Sequence, residues 1–173
     1  MMVTGLLTLA CGLIAGLFSH PLGVAPILGA LLCGACFLPA RRLWIVGLGG
    51  MLIRDLWTGL IPFTLVRLAG MALVIGVVQL LQVRPTLRSL LTGLIVTSPV
   101  FHLALAVGDW ATGTCGIWPR TPSGLWASIV GTIPYFQRSL VTDVAFTALF
   151  LCFYAAAGRA AGWQRSPLLA ERG

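Results

Sequence analysis

The sequence predicts an all-α integral membrane protein with six transmembrane helices, and three observations carry that prediction. Mean hydropathy is +1.00 over 173 residues. Only 9% of the residues are charged, against about 25% in a soluble domain, too few to clothe a water-facing surface. Long apolar runs alternate with short segments holding proline and arginine, the pattern of spans and turns. The chain contains no lysine, and its arginines sit mostly in short loops rather than along one helix face. A basic balance of +7 therefore reads as membrane topology and not as nucleic-acid binding.

Taken in order, the first span covers Val3 to Phe18 and is broken by Ser19-His20-Pro21. Without a basic leader region or a small-x-small cleavage site, it reads as a retained helix rather than a signal peptide. The second covers Leu22 to Leu38 and stops at Pro39 and Arg41-Arg42. The third, Leu43 to Ile61, stops at Pro62. The fourth, Phe63 to Val83, stops at Arg84-Pro85. The fifth runs from Leu87 to Val107 and the sixth from Ser139 to Ala161. The whole chain, 1–173, reads as one transmembrane domain with a cytoplasmic tail over about 162–173.

Arg41 and Arg42, Arg84 and Arg88, and Arg159, Arg165 and Arg172 all fall on one side of such a bundle. The positive-inside rule makes that side the cytoplasm, with both termini there, in a bacterial inner membrane. The remaining charges then gather in the outer half. Arg54 and Asp55 lie late in the third span, Arg67 lies one turn into the fourth, and Asp109 follows the fifth. Arg120 and Arg138 lie in the following segment, and Asp143 opens the sixth span. Ionisable groups at membrane depth are costly, so they pair or line a cavity. Arg54 and Asp55 point about 100° apart on a helix, so one must reach another element. Asp55 with Arg67 is the expected pair.

A long outer loop is expected over about 109–138. Pro122-Ser123-Gly124 starts a short extra helix there through about Thr132, with proline in its first turn. Trp110, Trp118 and Trp126 serve as interfacial anchors or as a stacking surface for a flat ligand. Of the five cysteines, Cys33 and Cys36 are spaced CxxC but lie mid-span without a second pair, as small packing residues do. Cys115, His20 and His102 are isolated candidates for metal ligation and make no motif. No cofactor is expected. Asp109 with Asp143, or Ser139 with His102, supplies no spacing that demands catalysis, so no enzyme is expected. An assembly or accessory role remains the alternative to solute capture.

Three segments resemble a known family: HPLGVAPILGALLCGA (20–35), RDLWTG (54–59) and GIWPRTPSGLWASIVGTIPYFQRSLVTDVAFTAL (116–149). They are similar to a bacterial family of small membrane transport proteins that look like the S components, the substrate-binding subunits, of energy-coupling-factor transporters. The resemblance covers about Ser19 to Ala157. It implies an S-component-like six-helix bundle that binds a small vitamin-like or metal-related solute at its outer face. It further implies a coupling subunit and ATPases supplied in trans. S components dock through small residues four apart on the first helix, for which Gly12 and Gly16 are the nearest equivalents here. Arg54, Asp55, Arg67, Asp109, Arg120, Arg138 and Asp143 are the expected polar contacts to solute, with Trp110, Trp118 and Trp126 as apolar walls.

Overall fold

The computed structural model describes residues 27–36 and 40–160, and these form five helices. They are α1 (Ile27–Ala35), α2 (Ala40–Thr58), α3 (Phe63–Leu81), α4 (Leu87–Thr112) and α5 (Pro122–Ala160). The expected first span, with Gly12, Gly16 and His20, lies outside the described residues, as does the tail beyond Ala160.

Three of the five are long and apolar enough to cross a membrane: Phe63–Leu81, Leu87–Thr112 and Pro122–Phe153. The six-span count is therefore corrected: among the described residues α1 is enclosed by protein and α2 is too highly charged. α1 covers Ile27–Ala35. It is apolar because it is buried: every residue from Ile27 to Gly34 is shielded. α2 is 19 residues long but carries Arg41, Arg42, Arg54 and Asp55, more charge than a lipid-facing span tolerates.

The outer segment is corrected too. The short extra helix and the sixth span are one helix of 39 residues, Pro122–Ala160. Pro134 stands inside it. A proline there removes a single backbone bond, and membrane helices accommodate that loss. Over 135–157 no glycine or further proline follows to stop the helix. The connection between α4 and α5 shrinks to residues 113–121.

Local chemistry sets the ends. Thr86 caps α4, its hydroxyl accepting the Ser89 N–H at 3.3 Å, and such a cap contributes about 0.5–2 kcal/mol. Gly113, at φ +63°, closes α4 in the left-handed conformation and donates its N–H to the Asp109 carbonyl at 2.7 Å. Thr121 starts α5 by accepting the Gly124 N–H at 3.2 Å.

The core joins α1 to all four other helices. Leu31, Leu32, Met51, Met71, Ile75 and Leu94 are its fully buried centre. α1 lies so close to α5 that a side chain at position 29 would meet the Thr147 hydroxyl at 2.7 Å. Outward positions are apolar as well: on α3, Leu65, Leu73 and Leu80 are exposed. An apolar exterior around an apolar interior suits lipid and not water.

Candidate functional site

The antiparallel run of α2, α3, α4 and α5 brings four segments to one end of the bundle. These are the end of α2, the start of α3, the second half of α4 and the first half of α5. Between them, and under the 113–121 link, lies a cavity of about 400 Å³. Ligand sites run from about 300 to 1,000 Å³.

Charge enters from α2 and α3. Arg54 and Arg67 both line the cavity. Asp55, the next residue to Arg54, turns into the protein and is fully buried. There Arg67 Nη1 donates to Asp55 Oδ1 at 2.7 Å, which is the pair expected from the sequence. The same guanidinium sits 5.2 Å from the centroid of the Phe63 ring, within cation–π range. Asp55 Oδ2 is buried with no hydrogen-bond partner among the described residues. Burial, then repulsion from Arg67, pulls the Arg54 guanidinium below its ordinary pKa, while Asp55 opposes the fall.

Asp109 borders the cavity at the end of α4 and is 8% exposed. Its side chain accepts the Cys115 N–H at 2.9 Å through Oδ1, while its backbone carbonyl accepts from Gly113. Asp109 is thus the post to which the link is tied. The Cys115 thiol is raised above its ordinary pKa by burial and by its contact with Asp109, so it is a poor thiolate.

Aromatic groups supply the walls. Phe63, Phe101, His102, Trp118 and Tyr135 line the space. Phe101 and His102 meet edge to face with centroids 5.7 Å apart, and His102 meets Phe136 in the same way at 5.7 Å. His102 Nδ1 lies 3.0 Å from the Ser98 carbonyl. A carbonyl only accepts, so Nδ1 carries the hydrogen and the ring is fixed by its own helix. Gly131 lets Trp118 lie flat on α5, because a Cβ there would fall 2.9 Å from the indole.

Hydroxyls complete the lining. Ser128, Thr132, Tyr135 and Ser139 present one stripe of α5 to the cavity. Ser128 ties α5 to α4 by donating to the Ala106 carbonyl at 3.0 Å. Ser139 donates to Asp143 Oδ2 at 3.2 Å.

Of the residues expected at the site, Arg54, Arg67, Asp109 and Trp118 border the cavity. Asp55 stands behind it through Arg67, and Asp143 stands behind it through Ser139, fully buried. The other four are placed elsewhere. Trp110 donates its indole N–H to the Thr121 carbonyl at 3.1 Å, and Arg120 Nη2 donates to the Thr112 carbonyl at 2.6 Å. Both brace the link, and Arg120 caps a helix end as basic residues do. Trp126 is 68% exposed on the outside of α5, and Arg138 is exposed. A charge near the right depth on a helix still points away when its azimuth is wrong.

Phe63, Phe101, Ser128 and Thr132 are site residues that were not singled out from the sequence. Their signal was helical spacing. Phe101, Leu105 and Asp109 are four apart on α4, and Ser128, Thr132, Tyr135 and Ser139 step by three or four on α5.

Among the described residues, no three His, Cys, Asp or Glu side chains gather to hold a metal. Cys36, packed at the end of α1, has its thiol pushed up to about 12 by burial, which keeps it in the neutral thiol form.

No curated protein and no solved structure matches the chain. The model of one family, described as a family of unknown function (DUF6580), matches residues 1–166. That match does not extend to the S components, so the resemblance stands at the coarser level of a helical protein with several apolar helices. On a match that spans nearly the whole sequence, the chain belongs to the family of unknown function DUF6580.

Proposed function

We propose that this multi-helix membrane protein binds a small solute in the cavity between α2, α3, α4 and α5 and passes it across the bilayer. The observation that carries the reading is the cavity of about 400 Å³. It lies within helices otherwise built for lipid, and it combines two arginines and an aspartate with aromatic walls. Such a mixture of apolar surface and a few convergent polar groups is what solute sites share. Packing alone would fill the space, since voids cost stability.

Direction follows from charge. Arg84 and Arg88 flank the α3–α4 turn, at the end opposite the cavity. On the positive-inside rule that turn is cytoplasmic and the cavity faces out. The C-terminus then lies in the cytoplasm, the N-terminus is expected there too, and the membrane is a bacterial inner membrane. The resemblance of residues 20–35, 54–59 and 116–149 to S-component-like proteins supports uptake, with a coupling subunit and ATPases supplied in trans. The chain performs no chemistry on its solute in this reading.

Native mass spectrometry of the gently solubilised full chain tests it, with small molecules identified after denaturation. A bound solute at one per chain is the expected result. An empty protein that also fails to bind any member of a broad small-molecule panel would overturn it. A C-terminal reporter active only outside the membrane would reverse the orientation.

A further inference from the structure

We propose that Asp143 is a proton-binding site that opens to the cavity through Ser139, so that uptake of the solute is linked to a proton. The link rests on the reading of the cavity as a solute site; the proton site itself does not.

Asp143 lies in the part of α5 that is long and apolar enough to cross the membrane, and it is fully buried. Ser139 donates to Oδ2 at 3.2 Å, and the Gly29 amide of α1 faces the same carboxyl. Oδ1 is buried with no hydrogen-bond partner among the described residues. Asp55 is buried to the same degree, but Arg67 pairs with it. Asp143 forms no ion pair among the described residues, and residues 1–26 contain neither arginine nor lysine to supply one. A charged carboxyl without a counter-ion is among the costliest groups to keep at membrane depth.

The surrounding groups bring it no fixed positive charge. Helix α5 packs on α1 and α4. From α1 comes Cys33, whose thiol donates to the Thr147 carbonyl at 3.7 Å. From α4, His102 packs on Phe136, Asp109 ends the helix beside the link, and Arg88 at its start is exposed. On α5 itself Ser139 and Thr147 are one turn away, and Arg138 is exposed. Arg54 and Arg67 line the cavity.

A proton is the cation that fits. A metal ion takes several oxygen ligands, whereas a proton needs no such shell. The seam is also closed: a side chain at position 29 would fall 3.2 Å from the Asp143 carbonyl oxygen. Ser139 supplies the route, because it lines the cavity and bonds Oδ2. Its oxygen takes a proton from the cavity side as its hydroxyl hands one to Oδ2, so the serine ends as it began. A solute that draws the Ser139 hydroxyl to itself changes the bonding of the carboxyl. Proton and solute affinities are then coupled, and such coupling is reciprocal.

The test is infrared spectroscopy of the full chain in lipid nanodiscs, with isotope-labelled aspartate to mark the C=O stretch of a protonated aspartic acid. That band is expected at neutral pH in the unaltered protein and is expected to be lost in Asp143→Asn. Exchange of the acid proton for deuterium is expected to slow at least tenfold in Ser139→Ala and to recover in Ser139→Thr, which keeps the hydroxyl. Absence of the band from the unaltered protein at neutral pH overturns the proposal, whatever the variants do. Persistence of the band in folded Asp143→Asn also overturns it. So does an Asp143→Asn chain that fails to fold at neutral pH, because asparagine copies the shape of the neutral acid. Loss of the band on adding sodium chloride at constant pH assigns the site to sodium instead. Unaltered exchange in Ser139→Ala overturns the route. The band together with a protein that binds no solute keeps the proton site and removes the link, whereas a bound solute without the band does the reverse.

Discussion

Between the packing around Leu32 and the cavity beside Arg67, the same three helices change character along their length. At the first end, Val46 of α2, Val78 of α3 and Leu90 and Leu94 of α4 close on α1. Contact is tight: a Cβ at Gly93 would lie 2.9 Å from Leu32 Cδ2. At the second end, α2 offers Arg54, α3 offers Phe63 and Arg67, and α4 offers Phe101 to Asp109 around open space. One end is held by volume and the other by directed polar contacts. Of α1, Leu31, Leu32 and Cys33 are fully buried at the first end, and Leu28 belongs to the lining at the second.

That contrast can be broken at several points. The largest effect is expected from Asp55→Ala, which strands Arg67 at a buried site. A loss of about 3–5 kcal/mol is expected, read as a large fall in unfolding temperature in detergent. Replacing both partners, Asp55→Leu with Arg67→Met, should recover much of it, because no uncompensated charge remains. A neutral single variant would show that the pair does not hold the open end. At the closed end, Leu32→Ala should cost about 2–5 kcal/mol through the cavity it leaves. It should do so without altering solute binding at the open end. Loss of that binding in the folded variant would mean the ends are coupled.

Smaller effects sharpen the boundary. Gly131→Val should cost about 1–3 kcal/mol by overpacking and should displace Trp118, shifting the fluorescence response to bound solute. Thr86→Ala removes the cap of α4 and should cost about 0.5–2 kcal/mol with no effect on binding. Arg138→Gln, on the exposed face of α5, should stay within about 0.5 kcal/mol in thermal unfolding.

Much of the open end was legible in the sequence because charge is rare in this chain. With four acidic residues in all, each one demanded a partner, and Asp55 found Arg67 across a single turn between helices. Hydropathy was a weaker guide to the spans. An apolar run such as 27–35 has the same composition whether lipid or protein surrounds it, and packing against the other helices separates the cases. The short helix from Pro122 was expected to end near Thr132, with the sixth span opening at Ser139, yet the helix runs on through Pro134, because one missing N–H does not end a helix that is otherwise supported on both sides. Arg120 and Arg138 share the depth of the cavity but not its direction. Depth follows from position along a helix, whereas direction depends on how the helices are rotated against each other, which packing decides.

Helix α5, at 39 residues, rises about 58 Å if straight, roughly twice the thickness of the hydrocarbon it crosses. It behaves as a beam whose stiffness is not uniform. Pro134 leaves the Val130 carbonyl without its helical donor, so the beam bends most easily there. That weak section falls among Gly131, Thr132 and Tyr135, all of which border the cavity. A bend at that joint would alter the width of the chamber first, because the far end is packed at Thr147 and Phe150 against α1 and the core.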